Sequence, residues 1–423
     1  MPNSLSMRMR PLPSRRFWVA LFAGLLAYVA AGAETSKTGK GGARPDAAQR
    51  AAALKRVCER LGIGVGMSIA DVGCGNGGDT LTFAEVVGPT GKVFGQEIEQ
   101  KLLDAMMQKA RERKLTQVQP VLGATEDPRL PDGVLDLIYM HQVFHHFAKP
   151  SSMLSNLWID LKPGGWLVIV DRQKGPQREW PDLAAREKKH FWTGETTVVR
   201  LAREAGFLFA SALDDLWMDK EPFVLVFRKP AGIKKPAGDP DLPLAINGKA
   251  MASALPALPP GPATVLFAGL DQGRLALPAL RQQFKSRPVI LDVVLEEWTT
   301  QNEELPSDLR GNASGVVRLV KGDLPEKTGG GLQAAVFADS YSRLWDPAPL
   351  LRRLRQELAP GGYVAVMDRH GPEGEPRRLA GHHRHIAPGL VKADFEKAGF
   401  ALAKELKPPA ADRFFLLFRP AAN

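Results

Sequence analysis

The sequence predicts an α/β chain built twice on one plan, each half a mainly parallel sheet covered by helices. Three observations carry that prediction. Apolar strand patterns alternate with helical ones along both halves. A glycine-rich turn, DVGCGNGG from Asp71 to Gly78, stands between a strand pattern and a helix pattern. And blocks of the first half return in the same order in the second. LKPGGWLVIVDRQKGP (161–176) returns as LAPGGYVAVMDRHGP (358–372), REAGFLFA (203–210) as EKAGFALA (396–403), and FVLVFRKP (223–230) as FFLLFRP (414–420). The offsets are steady: 197 from Asp171 to Asp368, 195 from His190 to His385, 193 from Gly206 to Gly399. A repeat at a near-constant spacing, half of the 390 residues that follow position 33, is the mark of internal duplication.

The elements of the first half follow in order. Asp46 can cap a helix running to about Leu61, with Leu54, Val57 and Leu61 on one face. SIADVG reads as a buried strand ending in the glycine turn, Thr80 to Val87 as a helix, and Lys92 to Gly95 as a short strand. Gln100 to Arg113 is strongly helical; Val118 to Leu122 and Leu135 to Met140 are strands. A helix from Met153 to Leu161 stops at Pro163-Gly164-Gly165, and Trp166 to Val170 is an apolar strand. A helix near Val198 to Ala205 and a strand from Phe223 to Phe227 close the half. Strands this continuously apolar belong to a sheet covered on both faces.

Four arginines (Arg8, Arg10, Arg15, Arg16) precede the apolar run Phe17 to Ala31, then Ala31-Gly32-Ala33. A basic region, a short apolar stretch and a small-residue site describe a secretory signal over residues 1–33, and a flexible segment over 34–45. The run is short for a spanning helix, which needs about 20 residues. The chain is therefore expected to be exported, or tethered to a membrane if the signal stays in place. Removing residues 1–33 takes away four arginines and no acid, so the net charge falls from +10 to +6. No basic block interleaved with aromatics remains, which excludes a nucleic-acid partner. Two cysteines, Cys58 and Cys74, exclude a disulfide framework and a Cys-based zinc site. Residues 229–263, rich in Pro, Ala and Gly, read as a linker. The domains are thus 46–229, a linker over 230–262, and 263–423.

Glycines in the 71–78 turn let the backbone bend tightly and let a ligand approach main-chain N–H groups. Gly73, Gly75 and Gly78 satisfy the dinucleotide pattern G-x-G-x-x-G, so a nicotinamide oxidoreductase stays open on that motif. Asp71, two residues before the first glycine, suits a ligand ammonium better than a pyrophosphate. Glu97, ending the next strand, can accept two hydrogen bonds from a ribose diol. After the fourth strand come His141, Gln142, Phe144, His145 and His146, and after the fifth Asp171 and Arg172. Asp171-Arg172 recurs as Asp368-Arg369, which favours a structural ion pair.

The ordered set DVGCGNG, FGQE, LPDGVLDLIYMHQVFHHF, LKPGGWLVIVDR and a late AGF resembles the class I S-adenosylmethionine-dependent methyltransferases, closest to the ubiquinone/menaquinone-biosynthesis C-methyltransferase-like, or type 11, group. The resemblance covers about residues 50–229. It implies Rossmann-like methyltransferase domains, each with a mostly parallel seven-stranded sheet, and S-adenosyl-L-methionine as cofactor. It assigns the cofactor's methionine part to Asp71, Gly73, Cys74, Gly75 and Gly77, the ribose to Glu97 and the adenine face to Ile98, with His141 nearby. The acid that contacts the adenine amine would fall at Ala124, so either Thr125 or Glu126 stands in for it or that contact is missing. His145 or His146 is the candidate base where the small-molecule acceptor must lose a proton.

The second half has lost the loop. An offset of 196 maps Asp71 onto Phe267, Gly75 onto Asp271 and Glu97 onto Val293, beside Asp292. A degenerate copy, packed on the first, is the expectation. His382, His383 and His385 lack a clear partner and read as a solvated loop, with no metal site. A non-catalytic exported module reusing the fold remains the alternative.

Overall fold

The computed structural model describes residues 47–172, 194–217, 222–232, 239–241, 243–258, 263–269, 271–284, 289–295, 317–321, 331–344 and 346–422. The signal and flexible segments expected over residues 1–45 lie outside these residues, and so does His190. Among the described residues no helix is long and apolar enough to cross a membrane.

The first half runs α1 (Ala47–Leu61), β1 (Ser68–Val72), α2 (Gly78–Val87), β2 (Lys92–Glu97), α3 (Gln100–Glu112), β3 (Val118–Leu122), β4 (Leu135–His141), α4 (Pro150–Asp160), β5 (Leu161–Arg172), α5 (Glu195–Glu204), β6 (Leu208–Ala212) and β7 (Pro222–Arg228). Its seven strands lie in the order β3-β2-β1-β4-β5-β7-β6. All neighbours are parallel except those of β7, which pairs antiparallel with β5 and β6. β6 is the strand the sequence reading leaves out. Its five residues LFASA bury only Phe209 fully, so they offer no continuous apolar run.

The second half runs α6 (Gly248–Ala254), β8 (Ala263–Gly269), α7 (Leu277–Phe284), β9 (Val289–Leu295), β10 (Val317–Lys321), β11 (Leu332–Ala338), α8 (Ala348–Glu357), β12 (Leu358–Arg369), α9 (Arg377–His383), α10 (Pro388–Lys397), β13 (Phe400–Glu405) and β14 (Arg413–Pro420). Its order, β10-β9-β8-β11-β12-β14-β13, repeats the first strand for strand. The stretch read as linker holds α6, capped by the Asn247 side chain on the Ala250 N–H at 3.0 Å.

Each sheet is covered on both faces. Around β1, β4 and β5, one layer buries Ala70, Ile138 and Ile169 against α4 and α5, and the other buries Ile69, Leu137 and Val168 against α1, α2 and α3. Each isoleucine, leucine or valine among them contributes roughly 1.5–3 kcal/mol by leaving water. The Pro-Gly-Gly turns sit inside β5 and β12 as bulges, where the reading placed a helix end. Pairing jumps from Leu135↔Leu161 to Leu137↔Trp166, and from Leu332↔Leu358 to Ala334↔Tyr363. Gly164 and Gly361 turn these corners at φ 78° and 80°, a region that favours glycine.

Candidate functional site

In an open parallel sheet the ligand crevice lies outside the carboxyl ends of the strands, where the strand order reverses. Here that place is the end of β1, between β2 and β4. The turn after β1 is built for close approach. Gly73, Gly75 and Gly77 take φ of 68°, 54° and 84°. A Cβ on Gly73 would meet Val143 at 2.4 Å, and one on Gly77 would meet Met106 at 2.3 Å. At Gly75 nothing lies within 4 Å, so this corner faces open space. Contrary to the expectation for the loop's N–H groups, those of Gly73 and Cys74 are spent on the Gln96 carbonyl, both at 2.9 Å. The turn is pinned to β2, and the groups left for a ligand lie further along.

A cavity of about 500 Å³ opens over this turn, the size of a small-molecule site. Of the residues chosen from sequence, Asp71, Gly73, Cys74, Gly75 and His141 line it. Gly77, Glu97, Ile98, Thr125, Glu126, His145 and His146 are outside its lining. Among the lining residues that the reading missed, two are charged: Arg50 on α1 and Asp79 at the start of α2. The signal for Asp79 is its place in the first helical turn after the glycines. Arg50 lies outside every motif.

These side chains form one network. Arg50 binds Asp79 through two nitrogens, with Nε 2.7 Å from Oδ1. Tyr139 donates its hydroxyl to the same carboxylate at 3.2 Å. Asp71, only 3% exposed, accepts the Thr80 hydroxyl at 2.6 Å. Burial, and then the charge of Asp79, push the Asp71 carboxyl up to about 7. His141 Nδ1 lies 2.6 Å from Arg50 Nη2. Burial, and then that guanidinium, pull the His141 imidazole down to about 4, so it is neutral and accepts from Arg50 through Nδ1. The wall thus offers a buried carboxyl, a cation and a neutral ring within one small volume. It fits a ligand that carries both an ammonium and a carboxylate.

The remaining predicted residues sit around this core. Glu97 ends β2 half-buried, and burial raises its carboxyl above the ordinary range. Ile98 beside it is 51% exposed. The Glu126 carboxylate pairs with Lys149 at 2.8 Å on the surface. His145 is buried in the 3₁₀ turn Phe144–His146, and His146 is exposed with its ring 4.1 Å away. Asp171 lies 2.8 Å from His145 Nδ1 and accepts main-chain N–H groups from His145 at 3.1 Å and Arg172 at 2.7 Å. Asp368 does the same for Ser342 and Arg369, both at 2.9 Å. The repeated Asp-Arg dipeptide is therefore not the ion pair expected of it. Its carboxylate caps the turn after the preceding strand.

Residues 63–206 match the family described as a methyltransferase domain. The match places a methyltransferase domain at these residues. A demethylmenaquinone methyltransferase of Geobacillus sp. (strain WCH70) is 28% identical over 113 residues, 27% of this chain and 48% of that protein. An uncharacterized methyltransferase of Schizosaccharomyces pombe is 34% identical over 109 residues, 24% of this chain and 39% of that one. This chain spans about half the length of such curated relatives. A solved methyltransferase of Aquifex aeolicus shares 23% identity, covering 41% of this chain and 88% of that one at a TM-score of 0.36.

Among the described residues of the second half, the place that matches this cavity is filled. At the Asp71 position stands Phe267, fully buried. A Cβ on Gly269 would lie 2.4 Å from the Phe267 ring, so that ring fills the space beneath the turn. A Cβ on Gly273 would lie 2.1 Å from the Ala338 carbonyl oxygen, so turn and strand are in contact. The register corrects one equivalence. Asp71 pairs with Gly95 but Phe267 with Val293, so the strand-end place of Glu97 belongs to Leu295, not Val293. Gln142 and Asp339, which follow β4 and β11, share the left-handed conformation, at φ 55° and 51°. Asp339 is bound by the fully buried Arg413, Nε to Oδ1 at 2.8 Å.

The three histidines are not a solvated loop. His382 is buried with Nε2 2.9 Å from Glu195 of the first half, and His383 packs its ring 5.0 Å from Phe209. His385 Nε2 lies 2.6 Å from Glu375. They stand where α9 meets α5 and β6. Among the described residues no group of side chains is arranged to hold a metal ion.

Proposed function

We propose that this protein transfers the methyl group of S-adenosylmethionine to a small-molecule acceptor at the cavity over the 73–78 turn. The observation that carries the reading is that Asp71 and Arg50 both line one cavity of about 500 Å³. When bound there, the cofactor supplies an electrophilic methyl on a sulfonium, and displacement at that carbon needs alignment more than acid or base. Asp71 receives the ligand ammonium, and Arg50, already held in place by Asp79, faces its carboxylate. Gly75 leaves its corner open, and Cys74 packs beside it. Glu97 takes the ribose, and Ile98, Thr125 and Glu126 stand toward the adenine, as the resemblance assigns them. Where the acceptor must lose a proton, the His145–His146 pair takes it, with Asp171 fixing the His145 ring.

In this reading residues 46–229 are the working domain, and 263–423 are a degenerate duplicate kept for packing on it. An N-terminal signal exports the chain or tethers it. The names of the relatives make demethylmenaquinone the first acceptor to try. Calorimetric titration of the full chain tests the cofactor. Binding of S-adenosylmethionine that is weakened about tenfold or more in Asp71→Asn is expected; tight binding of NAD in its place sinks the reading.

A further inference from the structure

The 3₁₀ turn Asp214–Leu216, between β6 and β7, and Trp217 after it are held from three sides. From the second half, Arg378 on α9 forks onto Glu195 with Nε–Oε1 at 2.9 Å and Nη2–Oε2 at 2.8 Å, and its third nitrogen binds Asp214. The other oxygen of Asp214 accepts the Val224 N–H at 2.7 Å, tying the turn to β7. From α1, Arg56 donates to the Leu216 carbonyl at 2.8 Å. Trp217, buried at the end of this turn, sets its ring 5.5 Å from His141, and His141 touches Arg50 at 2.6 Å. Both His141 and Arg50 line the cavity. An unbroken series of contacts therefore runs from an arginine of the second half to the wall of the site in the first.

We propose that Arg378 is a positioning residue for the cofactor cavity: by holding the 214–217 turn it sets Trp217 behind His141 and so fixes the ring and guanidinium that a ligand meets. The second half, though closed at its own strand ends, then has work to do at the site of the first. The choice of side chain follows from the geometry. A guanidinium has donors enough, in a fixed fork, to satisfy two carboxylates at once, where an ammonium is a point charge on a flexible stem. Packing contacts link the rest, and a chain of packed side chains carries coupling only if its members share discrete arrangements. Coupling between sites is commonly worth about five- to 150-fold in affinity.

The inference rests on the reading that the cavity takes S-adenosylmethionine, and the test separates the two. In the full chain, Arg378→Ala is expected to weaken S-adenosylmethionine binding about tenfold by calorimetry and to speed amide exchange at residues 213–217 and 141. Arg378→Lys, should the alanine variant fail to fold, is expected to move both readouts the same way by less. Arg384→Ala, which removes a different contact of the second half (Nη1 to Asp239 at 2.5 Å), is expected to move neither. Trp217→Phe combined with Arg378→Ala is expected to weaken binding no more than the stronger single change, because both act on one series of contacts. Unchanged exchange at 213–217 and 141 in Arg378→Ala, or strictly additive losses in the double variant, overturns the proposal. If the parent chain binds no S-adenosylmethionine, the cofactor reading falls, and the exchange measurement alone still decides whether Arg378 holds the cavity wall.

Discussion

The ends of β1 and β8 are the same place in two sheets of identical strand order, and they have opposite fates. At the end of β1 a buried carboxyl underlies an open glycine corner and a cavity of about 500 Å³. At the end of β8 a phenylalanine ring fills the space beneath the turn, and the turn touches the next strand. What both halves keep is instructive: the left-handed residue after the fourth strand, the bulge in the fifth, and the aspartate that caps the following turn. These devices hold a sheet together whatever it binds. Among the described residues, what differs at these two strand ends includes the groups whose chemistry serves a ligand: Asp71 against Phe267, and an open glycine turn against one packed on Ala338.

The comparison breaks most severely if the second half's residue is placed in the first. Gly75→Asp puts a side chain at φ 54°, in the left-handed region, and a carboxylate at the open corner of the cavity. The charge opposes the cofactor carboxylate, which Arg50 alone must then satisfy. Loss of measurable S-adenosylmethionine binding is expected. Calorimetry reads it, with circular dichroism checking that the fold survives; binding within tenfold of the parent sinks the assignment of that corner.

The converse change should cost stability and gain nothing. Phe267→Ala empties a fully buried site and is expected to destabilise the chain by about 3–5 kcal/mol. It should create no second binding site, because Gly273 remains packed on Ala338. Urea unfolding measures the loss, and calorimetric stoichiometry counts the sites. Two equivalents bound would mean that closure of the second half rests on Phe267 alone.

These contrasts also mark how far the residues alone could be read. The first sheet was legible because its strands are apolar runs between turn residues, and PGG, DR and AGF recur at similar spacings in two sheets of the same strand order. Asp71, Cys74 and the glycines were legible because a motif fixes them relative to a strand end. Arg50 was not, because it reaches the site from a helix more than twenty positions upstream, where nothing but tertiary packing brings it. His382 and its neighbours misled for the same reason. The partner of His382, Glu195, is 187 positions away and belongs to the other half, where His383 also packs on Phe209. The Leu295 equivalence shifted because β9 pairs two residues later than a constant offset allows.

A smaller effect should sharpen what is shared. Asp171 and Asp368 each cap the turn that follows the neighbouring strand, so Asp171→Asn and Asp368→Asn should each cost about 1–3 kcal/mol as one buried acceptor is lost. Thermal or urea unfolding of the two variants compares them. Only Asp171 also meets an imidazole, His145. If that ring serves as a base, Asp171→Asn alone lowers turnover beyond its effect on stability. Equal turnover in both variants removes His145 from the chemistry and leaves the aspartate a cap in both halves.

The mildest prediction concerns pH and is read at Asp71, since Phe267 at the matching place has no proton to exchange. Burial and Asp79 raise the Asp71 carboxyl from 3.8 to about 7 in the folded chain. A group raised on folding stabilises fully below its unfolded value, and that contribution is lost as pH climbs through the folded one. Free of ligand, Asp71 therefore makes the fold less stable between about pH 4 and 7. An ammonium prefers the ionised carboxylate, so S-adenosylmethionine binding should run the other way. It should tighten about fivefold between pH 6 and 7, with proton release on binding, until the ligand amine itself deprotonates near 7.7–8.0. Asp71→Asn should flatten both trends, leaving any slopes due to other groups. Calorimetry in buffers of different ionisation enthalpy counts the released proton. The two opposed slopes can share one origin only if the same buried carboxyl titrates in both, so a variant that flattens one and spares the other separates Asp71 from the ligand ammonium.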